Sequence, residues 1–220
     1  MVDLIRGLRA EQVAANLARV RHEIATAGRD PGSVQILAAV KYVPSEELPV
    51  LAQAGLELLG ENRAQDLVAK ADAHPDLFTW DFIGHLQSRK VRQLLPYVRY
   101  IHSVASDSAL KQLGRYGSGD TRVLVEINVS GEEGKSGISP AELPAFLQRC
   151  PVTVVGLMTM PPLASTPEQS RPYFAALRRL AERHELAELS MGTSQDYLVA
   201  VQEGATVVRL GTTLYASKAE

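Results

Sequence analysis

Lys41 closes an apolar run, Ile36-Leu37-Ala38-Ala39-Val40, and is soon followed by Pro44-Ser45-Glu46-Glu47. The run reads as a buried strand and the following segment as a loop and a helix start. At the mouth of such a strand, desolvation disfavours the ammonium and makes the neutral amine reachable. An amine of that kind forms a Schiff base with a carbonyl, either an aldehyde cofactor or a carbonyl substrate. The plain alternative is a surface lysine whose stem snorkels along apolar surface.

Two further segments carry the signature of an anion site. Ser190-Met191-Gly192-Thr193-Ser194 precedes an expected helix, Gln195 to Glu203, stopped by Gly204. Small hydroxyl residues and a glycine at a helix start offer free N–H groups and room for close approach; an ordinary N-cap at Ser194 is the alternative. In Val207-Val208-Arg209-Leu210-Gly211-Thr212-Thr213, strand alternation puts Val207, Arg209 and Gly211 on one face. If Val208 and Leu210 face a helical layer, Arg209 points inward, where a guanidinium needs a partner or a ligand. Glu126 and Asp81 are the candidate ion-pair partners. Gly211-Thr212 adds amide and hydroxyl donors.

Three more segments end in polar groups that a shared rim would bring together. Leu58-Leu59-Gly60-Glu61-Asn62 places the Asn62 amide beside the strand of Lys41, and Gly84-His85-Leu86-Gln87-Ser88 follows Phe82-Ile83. Asn128 to Gly137 holds three glycines and Lys135, and reads either as a mobile lid or as a plain connection.

The elements that must position these residues follow from periodicity. Val13, Leu17, Val20 and Ile24 form one helical stripe, ended by Gly28. After Pro31-Gly32, strands are expected to begin near Gln35, Leu56, Thr79, Tyr100, Arg122, Val152, Glu188 and Thr206, the first five about 22 residues apart. Ser45, Ser88 and Ser106 are expected N-caps; Ser139-Pro140-Ala141-Glu142 and Thr166-Pro167-Glu168-Gln169 read as capping boxes. Apolar runs without alternation, such as Val152-Thr153-Val154-Val155, suit parallel strands covered on both faces. Eight strands alternating with helices predict an α/β chain: one (β/α)8 TIM barrel over residues 1–220, with an extra N-terminal helix within 1–30 packed on it. A doubly wound sheet would need a glycine-rich fingerprint where Lys41-Tyr42-Val43-Pro44 stands. In a barrel, the rim at the strands' C-terminal ends carries the site.

Composition narrows the function. The 220 residues are 45% hydrophobic and 22% charged, with net charge -2, which fits one globular unit with a sizeable core. Near-neutral charge without a long basic run argues against nucleic acid. No apolar stretch is long enough to span a membrane, and Met1-Val2-Asp3-Leu4-Ile5-Arg6 is not a signal peptide. A single cysteine, Cys150, points to the reducing cytoplasm. The five histidines lack ligand spacing, so no metal is expected.

Taken together, Ala39-Val40-Lys41, Gly60-Glu61-Asn62, Phe82-Ile83-Gly84-His85-Leu86-Gln87, His102-Ser103-Val104, Lys135-Ser136-Gly137, Gly156-Leu157-Met158, Leu189-Ser190-Met191-Gly192 and Val208-Arg209-Leu210-Gly211-Thr212 resemble the pyridoxal-phosphate homeostasis protein family. That family is related to the barrel domain of alanine racemase. The resemblance implies a fold-type III barrel in which Lys41 holds pyridoxal 5'-phosphate (PLP) as an internal aldimine. It further implies that Ser190, Gly192, Gly211 and Thr212 grip the phosphate, that Arg209 faces the pyridine nitrogen, and that Asn62 lies near the ring. The family's usual Ser-Lys-Thr stands here as Val40-Lys41-Tyr42.

An acidic partner keeps the pyridine nitrogen protonated and the cofactor electron-withdrawing; an arginine cannot accept that proton and leaves the electron sink weak. Racemisation would also need a second base. In alanine racemase that base comes with a C-terminal domain, which is not expected of a chain reaching Glu220 so soon after Gly211-Thr212. The implied function is therefore a PLP carrier or buffer in vitamin B6 homeostasis, without an established reaction. Apo PLP enzymes are its expected acceptors, and a monomer is expected. The rivals are a PLP-dependent amino-acid racemase, with Tyr42 or His85 as second base, and a Schiff-base aldolase on a phosphorylated substrate. An aldolase has no call for an inward arginine.

Overall fold

The computed structural model describes residues 4–216, so the expected domain ends at 1 and 220 lie outside the described residues. The chain opens with α1 (Ala10–Thr26), whose Val13, Leu17, Val20 and Ile24 stripe is buried throughout. It continues through β1 (Gln35–Ala39), α2 (Leu48–Gln53), β2 (Leu58–Glu61), α3 (Ala64–Ala73) and β3 (Thr79–Phe82). Then come α4 (Val91–Leu94), β4 (Val98–Val104), α5 (Asp107–Tyr116), β5 (Arg122–Glu126), α6 (Leu143–Arg149) and β6 (Thr153–Met158). The series ends with α7 (Arg171–Arg183), β7 (Glu188–Thr193), α8 (Tyr197–Gln202), β8 (Val207–Leu210) and α9 (Thr212–Tyr215).

The strands pair in parallel in chain order, and β8 returns to β1 to close the barrel. The expected (β/α)8 barrel with an added N-terminal helix is the observed architecture. Strand starts differ from the periodic reading by one or two residues: β2, β6 and β8 begin later than expected and β4 earlier. α1 packs on α2, α8 and α9, which covers that side of the barrel.

Alternation divides each strand between two environments. Ala38, Leu59, Ile101, Val123, Val125, Val208 and Leu210 join the large apolar core between sheet and helices. The opposite face supplies the barrel interior, where Leu37, Leu124 and Val207 are buried beside Asp81, His102, Ser190 and Arg209. Polar groups in that position must be paired, because burial without a partner costs about 1–3 kcal/mol each.

Several helix starts differ from expectation. Ser106 caps α5, accepting from the Ala109 N–H at 3.2 Å. Ser45 and Ser88 do not act as caps: each opens a 3-10 turn, after Pro44 and Gln87 respectively, that leads into α2 or α4. Glu142 accepts from Ser139 N and Oγ at 2.8 and 2.6 Å, and α6 starts just beyond, at Leu143. Gln169 accepts from the Ser165 and Thr166 N–H groups at 2.9 and 3.4 Å, as the capping pattern predicted for that segment requires. The helix expected from Gln195 begins at Tyr197, with Asp196 rather than Ser194 at its N-cap position. The Asp196 carboxylate instead folds back onto Thr193 N (2.8 Å) and Thr193 Oγ1 (3.1 Å).

Candidate cofactor site

Lys41, Asn62, Glu126, Ser136, Thr193 and Arg209 line a cavity of about 270 Å³ at the C-terminal rim. That volume lies near the lower end for small-ligand sites, about 300–1,000 Å³. A larger cavity of about 620 Å³ opens beside Gln35, Leu58, Thr79 and Arg99, the residues at the N-terminal ends of the strands. None of the candidate residues named from the sequence lines it.

Lys41 stands two residues beyond β1. The intervening Val40 donates its N–H to Gly60 O at 2.9 Å, while its own carbonyl accepts from Lys70 Nζ at 2.7 Å. Lys70 is itself ion-paired with the fully buried Glu61, at 2.6 Å, and Glu61 also accepts from the Asn62 N–H at 2.7 Å. One buried pair thus fastens the ends of β1 and β2 together. The Lys41 side chain is exposed, contrary to the desolvated setting argued from its strand, because the barrel mouth is open where the lysine emerges. Its Nζ lies 4.4 Å from the centre of the Tyr42 ring, so the residue that departs from the family pattern supports the lysine by a cation–π contact.

Arg209 points into the barrel and is buried. Its Nη1 donates to Ser190 O (2.7 Å) and Ser190 Oγ (2.6 Å), and its Nη2 to Thr159 O (2.9 Å) and Met160 Sδ (2.9 Å). Those four contacts match the four Nη hydrogens, and the Nε–H has no acceptor among the described residues. The ion pair with Glu126 or Asp81 considered from the sequence does not form. Burial draws the guanidinium down to about 10, opposed by the charges of Asp196 and Glu126, so it is cationic near neutral pH.

Asn62 Oδ1 is buried at the cavity without a hydrogen-bond partner among the described residues. A buried amide oxygen in that state is a fit for a polar ligand. Gly84, at the end of β3, lets this wall close up: a Cβ there would lie 1.9 Å from Asn62 O.

The expected phosphate-binding residues divide into two groups. Ser190 Oγ is fully buried in the barrel interior, bonded to Arg209 and, at 2.9 Å, to His102 Nδ1. Its side chain therefore serves the floor under the cavity, in place of the phosphate contact that the resemblance implied. Gly192 has φ +91°, and a Cβ there would lie 2.6 Å from the Ala200 Cβ, so it lets β7 pack against α8. Gly211 and Thr212 lie at the rim, where β8 enters α9. There Ser194 Oγ accepts from Gly211 N and Thr213 N, each at 3.2 Å. An oxygen already sits in the amide pair: Ser194 belongs to the segment expected to form an anion site, with a plain N-cap as the alternative, but was not among the residues expected to grip the phosphate. Thr193 and Ser136 were missed as lining residues for a similar reason, since each lay inside a recognised segment but off its glycines and lysines.

The loop after β5 is held in place rather than free. Asn128 Oδ1 accepts from Ser130 Oγ and Gly131 N, and Asn128 Nδ2 donates to Glu132 O. Ser136 Oγ donates to Glu126 Oε1 at 2.5 Å, closing the loop onto the cavity wall, and Lys135 Nζ lies 3.2 Å from Glu132.

Beneath the floor, the fully buried Asp81 accepts from Arg99 Nε and Nη2 (3.0 and 2.5 Å) and from His102 Nε2 (3.0 Å). Burial alone would raise its carboxyl, but the hydrogen bonds and charges of His102 and Arg99 outweigh this and hold it below its ordinary value. His102 is pushed below the ordinary imidazole value, chiefly by burial.

Comparison with known proteins agrees with this architecture. Residues 10–219 match the family described as alanine racemase, N-terminal domain. A pyridoxal phosphate homeostasis protein of Aquifex aeolicus is 38% identical, the match covering 94% of this chain and 97% of the relative. One from Pseudomonas aeruginosa is 36% identical over 95% of each chain. The structure of PipY from Synechococcus elongatus PCC7942, which has PLP bound, is 33% identical with a TM-score of 0.78, covering 93% of this chain and all of that one. With a closed barrel of the same order and identity of this extent along nearly the whole length, the chain belongs to the family of pyridoxal phosphate homeostasis proteins.

Proposed function

We propose that this protein binds pyridoxal 5'-phosphate at the C-terminal rim and serves as a carrier or buffer of that cofactor in vitamin B6 homeostasis, with Lys41 as the covalent anchor for its aldehyde. When bound, the cofactor supplies an electron-withdrawing ring whose strength depends on the protonation of its pyridine nitrogen. The observation that carries the reading is Arg209. Its Nη hydrogens are committed to the protein, its Nε–H is left over, and it offers no acceptor for a ring-nitrogen proton. A site so equipped retains the cofactor without making it a strong electron sink, which favours a carrier over a transaminase or decarboxylase.

The other residues divide the work of binding. The orphaned Asn62 Oδ1 would meet a polar group on the ring. Gly211 N and Thr213 N, which now donate to Ser194 Oγ, would take the phosphate once that hydroxyl turns aside to donate to it as well, beside the Thr212 hydroxyl. Tyr42 would keep Lys41 extended over the mouth. Ser136 and Glu126 would shield the occupied cavity from water. Transfer to apo PLP enzymes, acting from a monomer, completes the proposal.

A racemase is the second reading, because His85 lines the same cavity as Lys41. The protein as purified, or after incubation with PLP, should absorb in the visible range and lose that band on borohydride treatment, with the label recovered on the Lys41 peptide. Incubation with D- and L-amino acids should then leave each enantiomer unchanged; interconversion abolished by His85→Ala would favour the racemase.

A further inference from the structure

The barrel interior carries an unbroken line of polar side chains that cofactor binding alone does not require. From the rim downward it runs Arg209 Nη1 to Ser190 Oγ (2.6 Å), Ser190 Oγ to His102 Nδ1 (2.9 Å), His102 Nε2 to Asp81 Oδ2 (3.0 Å), and Asp81 to Arg99 (2.5 Å). Arg99 in turn donates to Gln35 beside the opposite face. Asp81, His102 and Ser190 are inaccessible to solvent or nearly so.

The direction of each bond follows from its ends. A carboxylate only accepts and a guanidinium only donates. Asp81 therefore accepts a hydrogen bond from His102 Nε2–H, which leaves Nδ1 without a proton in the neutral imidazole. Nδ1 must then accept a hydrogen bond from the Ser190 hydroxyl. With that proton turned towards His102, the serine oxygen presents only lone pairs to Arg209. Each member has one workable orientation, and the orientation is set by the charged pair at the bottom.

We propose that His102 is a positioning residue for Arg209, acting through Ser190: it fixes the hydroxyl as a pure acceptor and so holds the guanidinium with its Nε–H turned to the cavity. This inference rests on the reading that Arg209 meets the cofactor ring. It goes further in assigning the rotation of that guanidinium to a residue that does not line the cavity. Without the His102 acceptor, the Ser190 hydroxyl is free to turn its proton towards Arg209, a donor against a donor. The guanidinium then loses one of its four anchoring contacts.

Two substitutions separate positioning from mere structural support. The amide of His102→Asn reaches the place of Nδ1 and can still accept from Ser190, but it gives up Asp81. The amide of His102→Gln reaches the place of Nε2 and keeps Asp81, but it gives up Ser190. Ser190→Ala removes the hydroxyl, adds no bulk and keeps the Ser190 carbonyl contact to Arg209, giving a second, smaller change should a His102 variant fail to fold. Two readouts are taken: exchange of the Arg209 Nη protons with water in cofactor-free protein, by 15N NMR, and the pyridine 15N shift after loading with labelled PLP.

His102→Gln and Ser190→Ala should each speed Nη exchange about tenfold, the equivalent of one lost hydrogen bond, and shift the ring-nitrogen resonance. His102→Asn should resemble the parent in both readouts while unfolding at lower urea. Parent-like exchange in His102→Gln and Ser190→Ala, or equal effects of the Asn and Gln variants, would overturn the assignment. If borohydride traps no cofactor on Lys41 of the parent, the carrier reading fails, while exchange in the cofactor-free protein still decides the role of His102.

Discussion

Lys70 Nζ holds the carbonyl oxygen of Val40 at 2.7 Å, one peptide before the lysine proposed to anchor the cofactor. The same ammonium lies 2.6 Å from the fully buried Glu61 carboxylate. The backbone leading into Lys41 is therefore fastened by a side chain from α3 in addition to the ladder between β1 and β2. A lysine committed in this way is also a poor competitor for an aldehyde.

Replacing Lys70 with Met should leave the Glu61 charge buried without its cation. Breaking one side of such a pair costs about 3–5 kcal/mol, read as a lower urea midpoint at unchanged slope. Replacing both partners, Glu61→Leu with Lys70→Met, should recover much of that loss. A double variant as unstable as the single one would refute the assignment of the cost to an uncompensated carboxylate.

Lys41→Ala should abolish borohydride-trapped cofactor. Because the side chain is exposed, stability should change by no more than about 0.5 kcal/mol. Peptide mapping of the reduced parent is the direct check, and a label on Lys70 or Lys90 would contradict the anchor.

Acid should destabilise the protein through the interior network. His102 and Asp81 both have folded values below their ordinary ones, 6.5 and 3.8, so each binds fewer protons folded than unfolded. Their contribution is complete above the unfolded values and is lost as pH falls through the folded ones. The urea midpoint should stay level above about pH 7, decline below it as His102 takes up its proton, and decline further below about pH 4 as Asp81 does. A midpoint that rises over that interval would show that these groups do not govern the acid limb.

Ser136→Ala removes the hydroxyl that ties the β5 loop to Glu126. A hydrogen bond to a charged group contributes about 1.5–3 kcal/mol, so cofactor should leave the variant at least about tenfold faster. Dilution of loaded protein into an excess of an apo acceptor measures this. Unchanged release would mean that the loop does not retain the cofactor. Lys135→Ala, which breaks only a partly exposed pair with Glu132, should slow transfer while leaving loading at Lys41 nearly unchanged.

Most of the scaffold was legible because parallel buried strands leave unbroken apolar runs, and because the α1 stripe at Val13, Leu17, Val20 and Ile24 has a single reading. The inward aim of Arg209 was legible for the same reason: Val208 and Leu210 belong to the outer core, so their neighbour must face the other way. The partners of Arg209 were not, because Ser190, Thr159 and Met160 meet it only when the sheet closes. His102, on β4, reaches Ser190 on β7 across the barrel, a contact without local sequence signature. Ser45 and Ser88 misled because a hydroxyl before a helical stretch cannot reveal that the first turn is 3-10. The exposure of Lys41 depends on the width of the mouth, which no single strand records.

Closure of the sheet between β1 and β8 has a kinetic consequence. With Arg209, Ser190 and His102 packed beneath the cavity, traffic into it passes over the rim that Lys41 and Ser136 share. Under the proposed function, escape to solvent and hand-over to another protein would compete for one aperture. An acceptor enzyme of the kind proposed, seated on that rim, would block the solvent route while opening its own. Direct hand-over would make the observed rate climb with acceptor concentration and saturate above the spontaneous off-rate, whereas capture from solution would level at the off-rate itself.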